Sequence, residues 1–187
     1  MSDECKMMYT AQADIVLDTL ARDGVYYVKK SYVQQKYRET AWIFREAYDY
    51  FIRNASEMVA MPPEAESPIW LYEDPLWALP EAGTHRLQLL IPREELLLFD
   101  RRKWNRILNL SYIGTEEEER EFEKRLRRQG VMDSTDVFSQ PYYPQMKAEI
   151  KKSWRRLFEE IPEEGMEAKN IQGAVWRLKQ EWILGIE

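Results

Sequence analysis

The chain of 187 residues is short of the residues that most enzyme chemistries need. It has one cysteine, Cys5, and one histidine, His85. A single thiol excludes an internal disulfide and fits a reducing compartment, so a cytoplasmic location is expected. One Cys and one His cannot by themselves close a zinc site, and no Cys/His spacing motif is present, so no metal is expected. Seven glycines leave no Gly-rich phosphate loop of the Walker or dinucleotide type, and no serine nucleophile-elbow motif occurs. The longest apolar runs fall far short of the roughly 18–20 residues that span a bilayer, and the start, MSDECK, lacks the basic and apolar regions of a signal peptide. A membrane partner is therefore not expected.

What is present is aromatic and charged. The chain is 44% hydrophobic, 13% aromatic and 32% charged. That apolar share is too high for a disordered chain, and the length suits one α+β domain over residues 1–187. Charge is uneven: residues 1–99 carry 10 bases and 16 acids, whereas residues 100–160 carry 14 bases and 12 acids. A local basic patch can hold nucleic acid even in an acidic protein, so the middle third deserves inspection.

Periodicity gives the elements. Lys6–Thr10 reads as a short strand and Gln12–Asp23 as a helix, with Val16, Leu17 and Leu20 on one face and Gly24 ending it. The long run Tyr32–Met58 carries an apolar stripe at Val33, Tyr37, Ala41, Phe44, Tyr48 and Phe51, and Pro62–Pro63 closes it. Ser67–Tyr72 is extended, Thr84–Ile91 alternates as a half-buried strand, and Leu96–Phe99 is a short aliphatic strand before a helix at Arg101–Leu110. Thr115 and Glu118 make a capping box for a helix to Gln129, with glutamates at its start and arginines at its end. A turn-rich stretch leads to a helix from Pro144 to about Ile161, and two strands, Ile171–Leu178 and Trp182–Ile186, finish the chain. Helices fill the first half and the interval between strand groups, which predicts an α+β fold with a mostly antiparallel sheet.

Two tryptophans sit among cations: Trp104 among Arg101, Arg102, Lys103 and Arg106, and Trp154 among Lys151, Lys152, Arg155 and Arg156. Such helices can track phosphates and stack bases. Helical spacing favours the plainer reading, with the tryptophan inward and the cations solvated, so a nucleic-acid partner is the least favoured. His85 shares a strand face with Leu87 and Leu89, which favours a hydrogen-bonded structural role over a catalytic one. The run Glu116–Glu119 reads as a helix start, because contiguous carboxylates do not converge on one cation.

Aromatic side chains mixed with amides and hydroxyls suit an uncharged, ring-bearing ligand. The segments Met8-Tyr-Thr-Ala-Gln12, Ser67-Pro-Ile-Trp70, Leu96–Asn109 (LLLFDRRKWNRILN), Lys151–Phe158 (KKSWRRLF) and Asn170–Ile183 (NIQGAVWRLKQEWI), in this order, resemble a bacterial and phage family described only as a domain of unknown function. A second resemblance is to ADP-ribosyltransferase-like domains, which have a split sheet. Their closing strand opens on a glutamate and turns into a further strand, much as Gln172-Gly-Ala-Val-Trp leads through Lys179-Gln-Glu181 to Ile183 here. That resemblance implies an ADP-ribosyltransferase-like fold with NAD or a related nucleotide in a cleft. It implies Gln172 in the place of the catalytic glutamate. Tyr9, Thr10 and Gln12 come from the first strand and Trp70 and Tyr72 from the aromatic segment, together binding the nucleotide. Glutamine keeps a hydrogen bond but lacks the charge that stabilises an oxocarbenium-like transition state, so catalysis is altered unless Glu181 supplies it. Gln172 can equally be a buried amide bonded to backbone. The alternative function is a non-catalytic module that docks onto a partner protein, through the long helix and the basic Lys147–Arg156 face.

Overall fold

The computed structural model describes residues 4–29, 41–159 and 166–187. Its frame is a six-stranded antiparallel sheet. Strand β1 (Cys5–Ala13) lies near the centre, flanked by β3 (Ile69–Tyr72) and β4 (Thr84–Pro92). Beyond β3 come β6 (Ile171–Val175) and the edge strand β5 (Leu97–Asp100); beyond β4 lies the opposite edge, β8 (Ile183–Ile186). A separate two-stranded sheet joins β2 (Val25–Tyr26) to β7 (Leu178–Lys179). The α+β class and the antiparallel sheet agree with the periodicity of the sequence.

The central pairing is longer than the Lys6–Thr10 strand expected. β1 and β4 match over nine residues, from Cys5 opposite Pro92 to Ala13 opposite Thr84. Each added step gains ladder hydrogen bonds, so Gln12 and Ala13 stay extended and the helix α1 (Asp14–Asp23) starts two residues late. Gly24, at φ 73°, ends α1 in the left-handed region and returns its N–H to the Leu20 carbonyl. His85 and Asp14 lock this corner, with Nε2 and Oδ1 2.6 Å apart. The histidine thus has the structural partner its place in the strand suggested.

Alternation along the strands divides the apolar residues between two cores. On one face Met8, Leu71, Leu87, Leu89, Ile91, Leu98 and Val175 pack under Val16 and Leu20 of α1. On the other, Leu97, Phe99 and Ala174 meet the helices α2 (Ala41–Met58), α3 (Arg101–Leu108), α4 (Glu116–Arg128), α5 (Ser134–Ser139), α6 (Pro144–Ser153) and α7 (Arg156–Glu159). Phe51 of α2 is at the centre of that layer, with the rings of Trp70, Trp104 and Phe99 at centroid distances of 4.9, 5.2 and 5.4 Å. Edge-on contacts of this kind add about 0.5–1.5 kcal/mol each beyond area burial.

Several boundaries differ from the sequence reading. The stretch before Ala41 in the expected long helix lies outside the described residues, as does the end of the expected Pro144–Ile161 helix. Within the described part that second helix breaks at Trp154–Arg155. Ser153 Oγ donates to the Ile150 carbonyl and accepts from the Ile113 N–H, and Trp154 Nε1 donates to the Ser111 carbonyl at 2.8 Å. Tertiary bonds to the Ser111–Ile113 loop thereby compete with a straight helix. The turn-rich stretch hides α5, which Asp133 caps through the Thr135 N–H and which buries Val137 and Phe138. The two closing strands are not a pair. Trp176 and Arg177 leave the ladder, because Trp176 Nε1 donates to the Val59 carbonyl and Arg177 binds Glu95. β6 therefore ends at Val175 inside the sheet, while β8 sits four strands away at the far edge.

Gly173 lies in β6 between β3 and β5, where an added Cβ would stand 2.9 Å from both Leu96 Cδ1 and Met8 Cε. A Gly173→Val protein is expected to lose about 1–3 kcal/mol in chemical denaturation, as overpacked cores do, and an unchanged midpoint would contradict this packing. Asp100 is only 4% exposed and caps α3, accepting from the Arg102 N–H at 2.8 Å and pairing with its guanidinium at 2.7 Å. Burial alone would push the carboxyl up, but the Arg102 side chain and amide outweigh it and hold the group below the usual carboxylate range. A depressed folded-state pKa gives stability that is present above the unfolded value and lost as pH falls through the folded one. Asp100→Asn should therefore be less stable than the parent at neutral pH, with the difference shrinking in strong acid. A difference independent of pH would refute the charge assignment.

Candidate functional site

The registers align four of the polar and aromatic residues of interest across neighbouring strands. Tyr9 in β1 faces Tyr72 in β3, Tyr72 faces Gln172 in β6, and Gln172 faces Phe99 in β5. Directly opposed residues project on the same side of a sheet, so these side chains form one row on the helical face. Gln88 of β4 extends the row beyond Tyr9. Trp70 is on the same face, two residues before Tyr72.

The row runs from cover to openness. Among the described residues the helical core draws side chains from β3, β5 and β6 and none from β1, β4 or β8. Phe99 and Gln172, 0% and 3% exposed, lie under the helices. Tyr9 and Tyr72 are half-buried where that cover stops, and Met7 and Leu90 beyond them are 41% and 38% exposed. Gln172 is buried as a residue, yet its amide is not among the buried side-chain atoms left without a hydrogen bond among the described residues, which are Tyr50 Oη, Ser67 Oγ and Glu73 Oε2. The amide carries two donors and an acceptor at the inner end of the row, beside the half-buried Tyr72.

The remaining candidates are elsewhere. Thr10 and Gln12 alternate with Tyr9 and project to the opposite face. There Thr10 Oγ1 donates to the Trp70 carbonyl at 3.0 Å and Gln12 Nε2 donates to Thr10 Oγ1 at 2.8 Å. Trp70 shares the face of the row, but its indole N–H donates to Tyr48 Oη at 2.9 Å and its ring is one of the packed aromatic cluster. Glu181 follows β7 in a 3-10 turn (Gln180–Trp182), with its side chain 72% exposed. It is not beside Gln172, because β6 and β8 are not neighbours.

The basic helices resolve as the plainer reading held. Trp104 and Trp154 are 3% and 0% exposed. Lys147 and Lys151 both bind Glu46 of α2, at 3.0 and 2.7 Å, and Arg156 binds Glu118 at 2.6 Å. Arg156 and the Thr115 amide hold the Glu118 carboxyl down at about 2. Tyr50 stacks edge-on against Trp154 at 5.1 Å with its hydroxyl unpartnered among the described residues, and burial pushes that phenol up to about 12. Glu73 Oε2 is buried without a well-angled hydrogen bond, yet Lys6 Nζ at 3.0 Å balances its charge.

Sequence reasoning missed the apolar loop between β3 and β4. Leu76, Trp77 and Leu79 are 67%, 47% and 58% exposed, with Ala78 buried between them. The signal was the Pro75–Pro80 bracket, which forces a projecting turn; Asp74 caps its 3-10 segment (Pro75–Trp77) through the Leu76 N–H. Two surface cavities lie away from the row. One, of about 290 Å³, is polar and bounded by Asn109, Arg127 and Asp133; the other, of about 280 Å³, is beside β5 at Met58, Arg93 and Leu97. Among the described residues no group of three or more His, Cys, Asp or Glu could hold a metal, and no helix is long and apolar enough to cross a membrane.

No curated protein matches the chain, and neither does any solved structure. A family model does match, over residues 7–184, from the third residue of β1 into β8 and so with every strand of the sheet represented. On that match the chain belongs to the family described as Domain of unknown function (DUF3841).

Proposed function

We propose that this protein binds NAD or a related nucleotide against the row of Tyr9, Tyr72 and Gln172. The observation that carries the reading is the register that sets the amide of Gln172, a residue 3% exposed, in line with two half-buried tyrosines. In this reading Gln172 bonds a ribose hydroxyl and the tyrosine rings pack against the base or nicotinamide. Aromatic faces beside one or two convergent polar groups are the usual make-up of a small-molecule site. Trp70, Thr10 and Gln12 support the floor from within the fold and do not touch the ligand.

The ADP-ribosyltransferase-like part of the proposal concerns binding more than turnover. Cleavage of the glycosidic bond builds positive charge on the sugar, and a neutral amide offers only a dipole where a carboxylate would offer a charge. Glu181 stands in the 3-10 turn before β8, which is not a neighbour of β6, and does not take the carboxylate's place in this reading. We therefore propose a nucleotide-binding protein that has a transferase-like site with little or no transfer activity.

A docking role is the second reading, favoured by the exposed Leu76, Trp77 and Leu79. Its contact surface would be this loop. The Lys147–Arg156 face serves less well, since Lys147, Lys151 and Arg156 are already paired with carboxylates.

Calorimetry with NAD, ADP-ribose and nicotinamide separates the two. The nucleotide reading expects NAD to bind, and Gln172→Ala to weaken it by about tenfold, or 1.4 kcal/mol, with the circular dichroism spectrum unchanged. Absence of binding by all three ligands at millimolar concentration would leave the docking reading in its place.

A further inference from the structure

One cation stands apart from the ion pairs that engage its neighbours. Arg101 opens α3, two residues after Phe99, which faces Gln172 across the β5–β6 ladder. Its guanidinium carbon lies 3.7 Å from the centroid of the Trp77 ring, and its Nε donates to the Lys169 carbonyl at 3.1 Å. The loop before β4, the turn before β6 and the start of α3 thus all meet at this side chain. Both terminal nitrogens of Arg101 lack a partner among the described residues.

The carboxylates of these same segments are occupied. Asp100 is held by Arg102, Glu167 by Lys169, and Glu73 by Lys6 at 3.0 Å; Asp74 accepts from the Leu76 N–H at 2.9 Å. A stacked arginine is often a clamp between two loops, worth about 0.5–1 kcal/mol at an exposed site. A clamp alone, however, does not need the guanidinium fixed at Nε with its outer edge left open. Stacking and the Nε bond remove most of the rotamer freedom of the side chain. The remaining two donors form a planar fork suited to a phosphate or carboxylate, and little further ordering is lost on binding.

We infer that Arg101 is a phosphate-binding fork, taking the diphosphate of the nucleotide whose ribose and ring lie on the Tyr9–Tyr72–Gln172 row. The inference rests on the nucleotide reading and adds its ligand class: a diphosphate-bearing nucleotide rather than a free nucleoside or nicotinamide. Trp77, 47% exposed, holds the arginine and keeps apolar surface beside the phosphate, which strengthens the charge contact by limiting water.

Calorimetry with ADP-ribose and with nicotinamide riboside, which has the ring and ribose but no phosphate, tests it on four proteins: the parent, Arg101→Gln, Arg101→Lys and Gln172→Ala. Arg101→Gln should weaken ADP-ribose by about tenfold or more and leave nicotinamide riboside unchanged, while Arg101→Lys should recover part of the loss because the charge remains. Added salt should weaken ADP-ribose binding in the parent and much less in Arg101→Gln. Equal ADP-ribose affinity in the parent and Arg101→Gln would overturn the fork and leave the row reading intact. Loss in Arg101→Gln with none in Gln172→Ala would support the fork and remove the row. No binding of either ligand to the parent would remove both.

Discussion

The nine-residue pairing of β1 with β4 is the constraint on which the rest of the structure depends. With that register set, the pleat decides which residues look toward α1 and which toward the helical layer. Met8, Leu87, Leu89 and Ile91 fill one core because they alternate in step across the two strands. Tyr9 is turned to the opposite face by the same step, and β3 and β6 bring Tyr72 and Gln172 into line with it. A shift of one residue would exchange these sets, burying the tyrosines under α1 and exposing the methionine and leucines.

The two faces are not covered alike, and this asymmetry creates the candidate site. Helices α2 to α7 cover β5, β6 and β3 around Phe51, Phe99 and Trp104, where ring contacts hold the layer together. Over β1, β4 and β8 the same face carries partly exposed Met7, Tyr9, Gln88 and Leu90. A boundary between packed and open sheet is where a polar group can be buried and still near solvent. Gln172 stands on the packed side of it and the tyrosines at its margin. Arg101 opens α3 two residues after Phe99, where three segments of chain converge on it through Trp77 and Lys169.

Much of this was legible in the sequence, and the failures share a cause. Local signals located the Thr115–Glu118 cap, the alternating Thr84–Ile91 strand and the buried stripe of Trp154, because each is set by neighbours three or four residues apart or by a period of two. Partnership between distant strands has no such signal. Nothing local separates β6 from β8 to opposite parts of the sheet; that depends on Trp176 reaching Val59 and Arg177 reaching Glu95. For the same reason adjacency in sequence groups the strand residues Tyr9, Thr10 and Gln12, although alternation puts Thr10 and Gln12 on the face away from Gln172. Arg101 was visible only as one of several cations around Trp104, since its distinguishing feature is a contact with Trp77, twenty-four positions earlier.

The central claim is that the Gln172 amide is available to a ligand lying on Tyr9 and Tyr72. Nitrogen-15 NMR during an NAD titration addresses it at the atom concerned, because side-chain amides give their own signals. The account predicts that the Gln172 Nε2 resonances shift in a saturable way together with the backbone signals of Tyr9 and Tyr72. If these stay fixed while the largest shifts fall in α4 or α5, or if no signal moves at saturating nucleotide, the claim is wrong.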